Sequence, residues 1–374
     1  MPDPEVTVPF LDLSPAHRAV REAIVAGFEQ LIDGGLFTNG PQIGDFERAF
    51  SAYTGRRFCV GVANGLDALR LALLAAGIEP GDEVIAPAQT FVATVEAITQ
   101  AGGSPVLVDV RADDYNLDSD GVDAVVNSRT RFLLPVHLYG QLADMRALGR
   151  LASRRGLEIV EDACQAHGAR RDGVAAAQLG RATAFSFYPS KNLGAMGDAG
   201  AVVTDDERLA SAVRALREHG QAGKYEHVRE GYTARLDTIQ AVVLLHKLPL
   251  LDAWNGERRE AARYYLEALA DVGDLRLPPV PSGSEPAWYV FVVRTADPDR
   301  LAAFLRARRI ETGRHYPQPV HLTQAYAHLG YEAGAFPVAE TLAREALSLP
   351  LFPGISTGQL EFVAASVREF FAGG

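Results

Sequence analysis

The chain has 374 residues, 48% hydrophobic and 22% charged, with 35 Gly and 21 Pro, room for about two domains of ordinary size. Its 36 Lys and Arg against 47 Asp and Glu leave a net charge of −11, which disfavours nonspecific binding to nucleic acid or anionic membrane. No apolar run approaches the ~20 residues of a membrane span, the opening MPDPEVTVPFLDL lacks the basic and apolar regions of a signal peptide, and two cysteines, Cys59 and Cys164, make no disulfide framework.

Ser14 precedes a stretch with Pro15 at the first helical position and an apolar stripe at Val20, Ile24, Phe28 and Leu31, which predicts a capped amphipathic helix. A second helix is expected around 46–55, closing at Gly55. From there short β-branched runs alternate with helical patterns: 58–63 with 66–77, 83–87 with 93–102, then 105–110, then 132–138 with 145–156, then 157–163. Runs at 184–189 and 199–206 read as further strands. That alternation predicts an α/β fold whose mainly parallel sheet is covered on both faces, with ligands at the strand ends. Near 235 the pattern changes to a long helical stretch, 235–269, that Pro249 should kink or break. The Pro/Gly/Ser-rich run 275–286 reads as a connection. Segments 288–294, 301–310 and 360–371 then read as a smaller α+β unit.

Four stretches carry candidate chemistry. Lys191 stands in a Gly-rich turn between two strands, with glycines at 194, 197 and 200 and Ser186 five residues before it. Glu161 and Asp162 end an apolar strand, where a carboxylate can pair with a protonated ring nitrogen. Asn64–Gly65 joins a strand to a helix and presents free N–H groups to a phosphate. Phe91 lies just past a strand end, positioned to stack on a flat ligand. Taken singly, each has a plainer reading: a surface lysine, a capping aspartate, an ordinary turn, a core aromatic. Their order is that of a pyridoxal phosphate (PLP) enzyme: phosphate turn, aromatic, carboxylate, lysine. The glycine spacing does not match a dinucleotide fingerprint, which argues against an NAD-dependent oxidoreductase, and the nine histidines show no metal-ligand spacing. His315 and His321 flank Tyr316 in a Pro-containing run expected to be extended and exposed.

These residues, with VPFLDL (8–13), GPQIGDFE (40–47), NGLDAL (64–69), PVHLYGQ (135–141), EDACQAHGA (161–169), SFYPSKNLG (186–194), RLDTIQA (235–241), HYPQPVH (315–321) and LSLPLFP (347–353), run nearly end to end in one order. They resemble the DegT/DnrJ/EryC1/StrS family of sugar aminotransferases, within the fold-type-I, aspartate aminotransferase-like PLP enzymes. The resemblance implies a large domain with a mainly parallel seven-stranded sheet over 16–249, and a smaller domain from 1–15 and 250–374. It makes Lys191 the Schiff-base lysine, Asp162 the partner of the pyridine nitrogen, Gln165 the neighbour of the ring hydroxyl and Phe91 the stacking aromatic. Gly65, Leu66 and Ser186 match phosphate contacts. Thr233 stands where the family usually has an Asn that reaches the neighbouring subunit's cofactor. Tyr188, Lys224, His315, Tyr316 and His321 fall at the sugar pocket.

The implied activity is transfer of an amino group from glutamate, through pyridoxamine phosphate, to a keto carbon of a nucleotide-linked deoxysugar by a homodimer. The 224–249 run looks most like members acting at C3 of dTDP-3-keto-6-deoxyhexoses in antibiotic sugar pathways. Alternatives are amination at C4, sugar dehydration, whose enzymes usually carry His in place of the lysine, and a non-catalytic PLP-binding regulator. The compartment expected is the cytoplasm, with no membrane and no nucleic-acid partner.

Overall fold

The computed structural model describes residues 7–373; residues 1–6 of the expected 1–15 segment lie outside them. Helix α1 (Ser14–Gly34) and helix α2 (Pro41–Thr54) lead into the first strand, β1 (Phe58–Val62). The expected Ser14 cap is corrected: Leu13 holds the cap position and Ser14 is already helical. The Asp12 carboxylate accepts from both the Ser14 N–H (2.8 Å) and its hydroxyl (2.7 Å), so the capping group comes from two residues earlier. Helix α2 starts at Pro41, five residues before the expected 46, because Gly40 is extended and proline suits a first helical turn.

The main sheet continues with α3 (Gly65–Ala76), β2 (Glu83–Pro87), α4 (Ala93–Gln100), β3 (Ser104–Val108), α5 (Ser119–Val125), β4 (Thr130–Leu133), α6 (Met145–Arg155), β5 (Glu158–Asp162), β6 (Ala182–Ser186) and β7 (Gly200–Thr204). The seven strands lie in the order β1-β7-β6-β5-β4-β2-β3. Only β7 is antiparallel to its two neighbours; the other neighbouring pairs are parallel. Alternation along each strand feeds two cores. Val60, Val84, Ala86 and Val202 pack on one face with α3 and α4, while Cys59, Ile85, Leu133 and Val203 pack on the other with α2 and α6. Burial on both faces explains why the strands read as continuous apolar runs.

After β7 come α7 (Glu207–Arg217), a short hairpin over 221–227, α8 (Thr238–Lys247) and α9 (Leu251–Ala268). Pro249 interrupts the long helical stretch as expected: residues Leu248–Leu250 form a single 3₁₀ turn between α8 and α9. The last third adds β8 (Phe291–Arg294), α10 (Pro298–Ala307), α11 (Pro337–Glu345), β9 (Ala346–Leu349) and α12 (Thr357–Ala372). Strands β8 and β9 pair antiparallel. Around them a third core gathers Tyr265, Phe291, Leu305, Leu347 and Val367, and Val8 joins it through a parallel bridge to Ile310. Among the described residues no helix is long and apolar enough to cross a membrane.

Candidate active site

A cavity of about 600 Å³ opens at the C-terminal ends of the parallel strands, where an open α/β sheet binds its ligands. Gly65, Leu66, Phe91, Asp162, Gln165, Ser186, Tyr188, Lys191, His315 and Tyr316 all line it. Residues more than 250 positions apart in the chain thus meet in one place.

One end is a helix N-terminus. Helix α3 opens at Gly65 and Leu66, ahead of the first intrahelical bond from Ala68 N–H to the Asn64 carbonyl (3.0 Å). Asn64 caps the helix by accepting from Asp67 N–H (2.8 Å). Glycine is needed at 65 because a Cβ there would lie 2.7 Å from the Ser186 Cβ and 3.0 Å from the Cys164 sulfur. That close approach sets the Ser186 hydroxyl beside the helix terminus, an arrangement suited to a phosphate.

At the centre is Asp162, the last residue of β5 and 5% exposed. Its Oδ1 accepts from Cys164 N–H (3.1 Å) and its Oδ2 from the Thr94 hydroxyl (2.8 Å). The preceding Glu161 faces the other side of the sheet, as strand alternation requires. There it accepts from His137 Nε2 (2.9 Å) and Ala177 N–H (3.2 Å). Burial pushes the Glu161 carboxyl up, but the hydrogen bond and charge of His137 and the N–H groups of Gly180 and Ala177 outweigh it and hold it below the usual range. Of the two strand-end carboxylates, only Asp162 is available to a ligand.

Gln165 is buried and spent largely on orientation. Its Oε1 accepts from Tyr139 N–H (2.8 Å) and its Nε2 donates to the Tyr316 hydroxyl (3.0 Å), leaving one amide hydrogen. Phe91 is 50% exposed, not a core aromatic, and its ring stands 5.4 Å from that of Tyr316.

The loop between β6 and β7 carries Lys191. Its backbone closes on itself through Lys191 N–H to the Tyr188 carbonyl (2.8 Å) and Ala195 N–H to the Phe187 carbonyl (2.7 Å). Asn192 then pins it from below, donating to Asn255 Oδ1 (2.8 Å) and the Ala287 carbonyl (2.7 Å). The Lys191 ammonium rests 4.1 Å from the centre of the Tyr289 ring, a cation–π contact. Its charge is felt nearby: burial first, then Lys191, lowers His315 to about 4 and the fully buried His167 to about 3. Both imidazoles are therefore neutral at pH 7. Burial also pushes the Tyr316 phenol up, with Tyr289 and Tyr139 adding to it, so that it stays a donor.

The 315–321 segment corrects an expectation. It is not an exposed run of solvated imidazoles: His315 is half-buried, stacks 5.6 Å from the Phe10 ring and shares a hydrogen bond with the Ser348 hydroxyl (2.8 Å). His321 is buried, bonded to Glu340 (3.0 Å) and edge-on to Phe336 at 4.8 Å, outside the cavity lining. Lys224 and Thr233 also lie outside it. Lys224 belongs to the exposed 221–227 hairpin, where its ammonium is 5.4 Å from the Tyr225 ring. Thr233 bonds His219 (3.1 Å) at the foot of that hairpin.

Thr90, Thr94, Tyr139 and Tyr289 were not found by sequence reasoning. Thr94 follows Thr90 by four residues in the segment that carries Phe91, which is the available signal; nothing local marks Tyr289, which only folding brings to Lys191. Among the described residues no cluster of three or more His, Cys, Asp or Glu is arranged to hold a metal ion.

The donor set fits PLP: a helix terminus and hydroxyl for its phosphate, an aromatic for its ring, a carboxylate for its nitrogen and an amine for its aldehyde. A family model described as the DegT/DnrJ/EryC1/StrS aminotransferase family matches residues 18–368. The chain is 47% identical over 363 residues, 97% of itself and 96% of the relative, to the dTDP-3-amino-3,4,6-trideoxy-alpha-D-glucose transaminase of Streptomyces venezuelae. It superposes on the crystal structure of S. venezuelae DesV in complex with a ketimine intermediate with a TM-score of 0.95 and 46% identity, covering 97% of this chain and 98% of that one. NtdA from Bacillus subtilis, solved with bound cofactor PMP, gives 0.91 at 30% identity over 98% and 85% of the two chains.

Proposed function

The chain belongs to the DegT/DnrJ/EryC1/StrS aminotransferase family, and from that premise we propose that it is a PLP-dependent enzyme moving the amino group of glutamate to C3 of a dTDP-linked 3-keto-6-deoxyhexose. The observation that carries this reading is the meeting of Lys191, Asp162, Ser186 and the α3 N-terminus in one cavity. The resemblance to a dTDP-sugar 3-transaminase supports the substrate class and the carbon.

PLP bound there supplies an aldehyde that takes up and gives back an amino group, and a ring that draws electron density from the carbon losing its proton. Lys191 would hold the aldehyde; once displaced, its amine is the base positioned to carry a proton between the two carbons of the exchange. Asp162 would hold the proton on the ring nitrogen. Gln165 has one Nε2 hydrogen left for the ring hydroxyl, and Phe91 would cover a face of the ring. Gly65, Leu66 and Ser186 would bind the phosphate. Tyr188, His315 and Tyr316 border the space left for the sugar, where neutral His315 adds no charge.

The partner is a second copy of the chain. Lys191 is the one Lys or Arg among the described residues lining the cavity, whereas a nucleotide diphosphate calls for cations. Lys224 and Arg229, with Thr233, sit on a segment whose Tyr225 and Val228 are exposed, 79% and 57%. That segment is suited to reach a neighbour's cavity, and closed twofold dimers are the commonest assemblies. His321, held by Glu340, would support the pocket wall rather than touch sugar. The same reading keeps 16–249 as the cofactor-binding domain, 1–15 with 250–374 as the smaller one, and the cytoplasm as the compartment of a nucleotide-sugar enzyme.

The test is an absorbance spectrum of purified protein with PLP, before and after glutamate. The proposed enzyme shows the band of lysine-bound PLP, loses it to the pyridoxamine form with glutamate, and regains it with a dTDP-3-keto-sugar. A band that glutamate leaves unchanged would favour the non-catalytic regulator. Recovery only with a 4-keto-sugar would move the amination to C4.

A further inference from the structure

Asp162 is gripped from the segment that enters α4. Thr94, in the first turn of α4, and Thr90, before that helix, are 1% and 2% exposed. The Thr94 hydroxyl lies 2.8 Å from Asp162 Oδ2, and the Thr90 hydroxyl lies 2.8 Å from that of Thr94. A hydroxyl has one proton to donate. Thr94 gives its proton to the carboxylate, so the contact between the threonines is donated by Thr90. The direction of the chain is therefore set: Thr90 to Thr94 to Asp162.

Burial gives this order weight, because a buried acceptor that loses its donor is costly, and hydrogen bonds in series polarise one another. The other carboxylate oxygen is held by Cys164 N–H at 3.1 Å. Both oxygens are thus gripped, from two separate elements. The same short segment presents Phe91 to the cavity, and Thr94 N–H closes it by donating to the Phe91 carbonyl (3.1 Å).

We propose that Thr94, with Thr90 behind it, is the positioning residue that fixes the Asp162 carboxylate for the cofactor, acting through its hydroxyl rather than through packing. The inference rests on the PLP reading above. It predicts that the two threonines act in series, Thr90 having no effect except through Thr94.

The experiment measures PLP binding to cofactor-free protein by fluorescence titration, together with the pH dependence of the bound cofactor's visible band, for Thr94→Val, Thr94→Ser, Thr90→Val and the double valine variant. Thr94→Val keeps shape and removes the hydroxyl, and should weaken binding about tenfold and shift the pH profile. Thr94→Ser keeps the hydroxyl and should stay within about twofold of the parent, while Thr90→Val weakens binding by about threefold. The double variant should match Thr94→Val, since a series has nothing left to lose once its middle link is gone. Normal binding and an unchanged profile in Thr94→Val overturn the proposal. So does a serine variant as weak as the valine one, or effects that multiply in the double variant. If Thr94→Val does not fold, Thr90→Val decides: parent-like binding and profile overturn the series. Failure of the parent protein to bind PLP would instead overturn the cofactor reading, and this inference with it.

Discussion

The cavity at the strand ends and the 218–233 segment are two regions read as serving one kind of ligand, yet they treat their polar groups differently. In the cavity, Asp162 is bonded at both oxygens, Gln165 is committed to Tyr139 and Tyr316, and the Lys191 loop is pinned by Asn192. Along the 218–233 segment the Thr233 hydroxyl meets His219, the Lys224 ammonium lies over the adjacent Tyr225, and large apolar side chains stand in solvent. The first region is organised within one chain. The second has the composition of a contact surface, apolar groups beside cations, and on the proposed reading it is completed by a second copy.

The largest effect tests the first region at its centre. Lys191→Ala should abolish amino transfer altogether, and borohydride treatment of the parent with PLP should attach the cofactor to the peptide carrying Lys191. Labelling elsewhere would break the assignment. Next, Asp162→Asn should cost about a thousandfold in turnover, because an amide does not stabilise the protonated ring nitrogen. A loss below tenfold with PLP still bound would point to another partner for that atom.

A third prediction concerns how dry the inner region is. His167 is fully buried, packs on Phe185 and Phe187, and among the described residues neither ring nitrogen has a hydrogen-bond partner of ordinary geometry. Burial, then Lys191, lowers its folded pKa to about 3 against 6.5 unfolded. The unfolded chain thus binds the extra proton first, and stability present above pH 6.5 is lost as the pH falls towards 3. By pH 4 that amounts to about 3 kcal/mol from this residue. Urea unfolding of His167→Leu should show a shallower acid slope than the parent. An identical slope would mean that water reaches the imidazole.

The smallest effect belongs to the outer region. Thr233→Ala should weaken PLP retention by about 1 kcal/mol, the worth of one neutral hydrogen bond. The sharper form of the test mixes subunits: Lys191→Ala chains combined with chains inactivated at Lys224 should regain some activity, because one hybrid site carries neither lesion. An active monomer by sedimentation, or folded hybrids without rescue, would place both regions in one chain and erase the distinction.

Much of the inner region was legible from local pattern. Strand runs between helical stretches announce the sheet, because strands covered on both faces must be apolar throughout. Pro249 marks the break between α8 and α9 because proline lacks the amide hydrogen a helix needs. The helices α5, α7 and α11 were not anticipated. Helix α5 is a seven-residue element with one buried residue, Val122, too short for periodicity to show, whereas α7 carries a legible cap at Asp206 and a buried stripe at Leu209, Val213 and Leu216.

By itself the sequence determined most of the elements, their order and the chemical types at the strand ends, because propensity, capping and alternation act over a few residues. Alternation sets Glu161 and Asp162 on opposite faces, but tertiary structure alone decides which of them meets the ligand: it turns Asp162 towards Thr94 and Glu161 towards His137. Likewise it buries His321 on Glu340, half-buries His315 against Phe10 and carries Tyr289 beneath Lys191. Those outcomes depend on contacts between residues far apart in the chain, and spacing along the chain does not encode them.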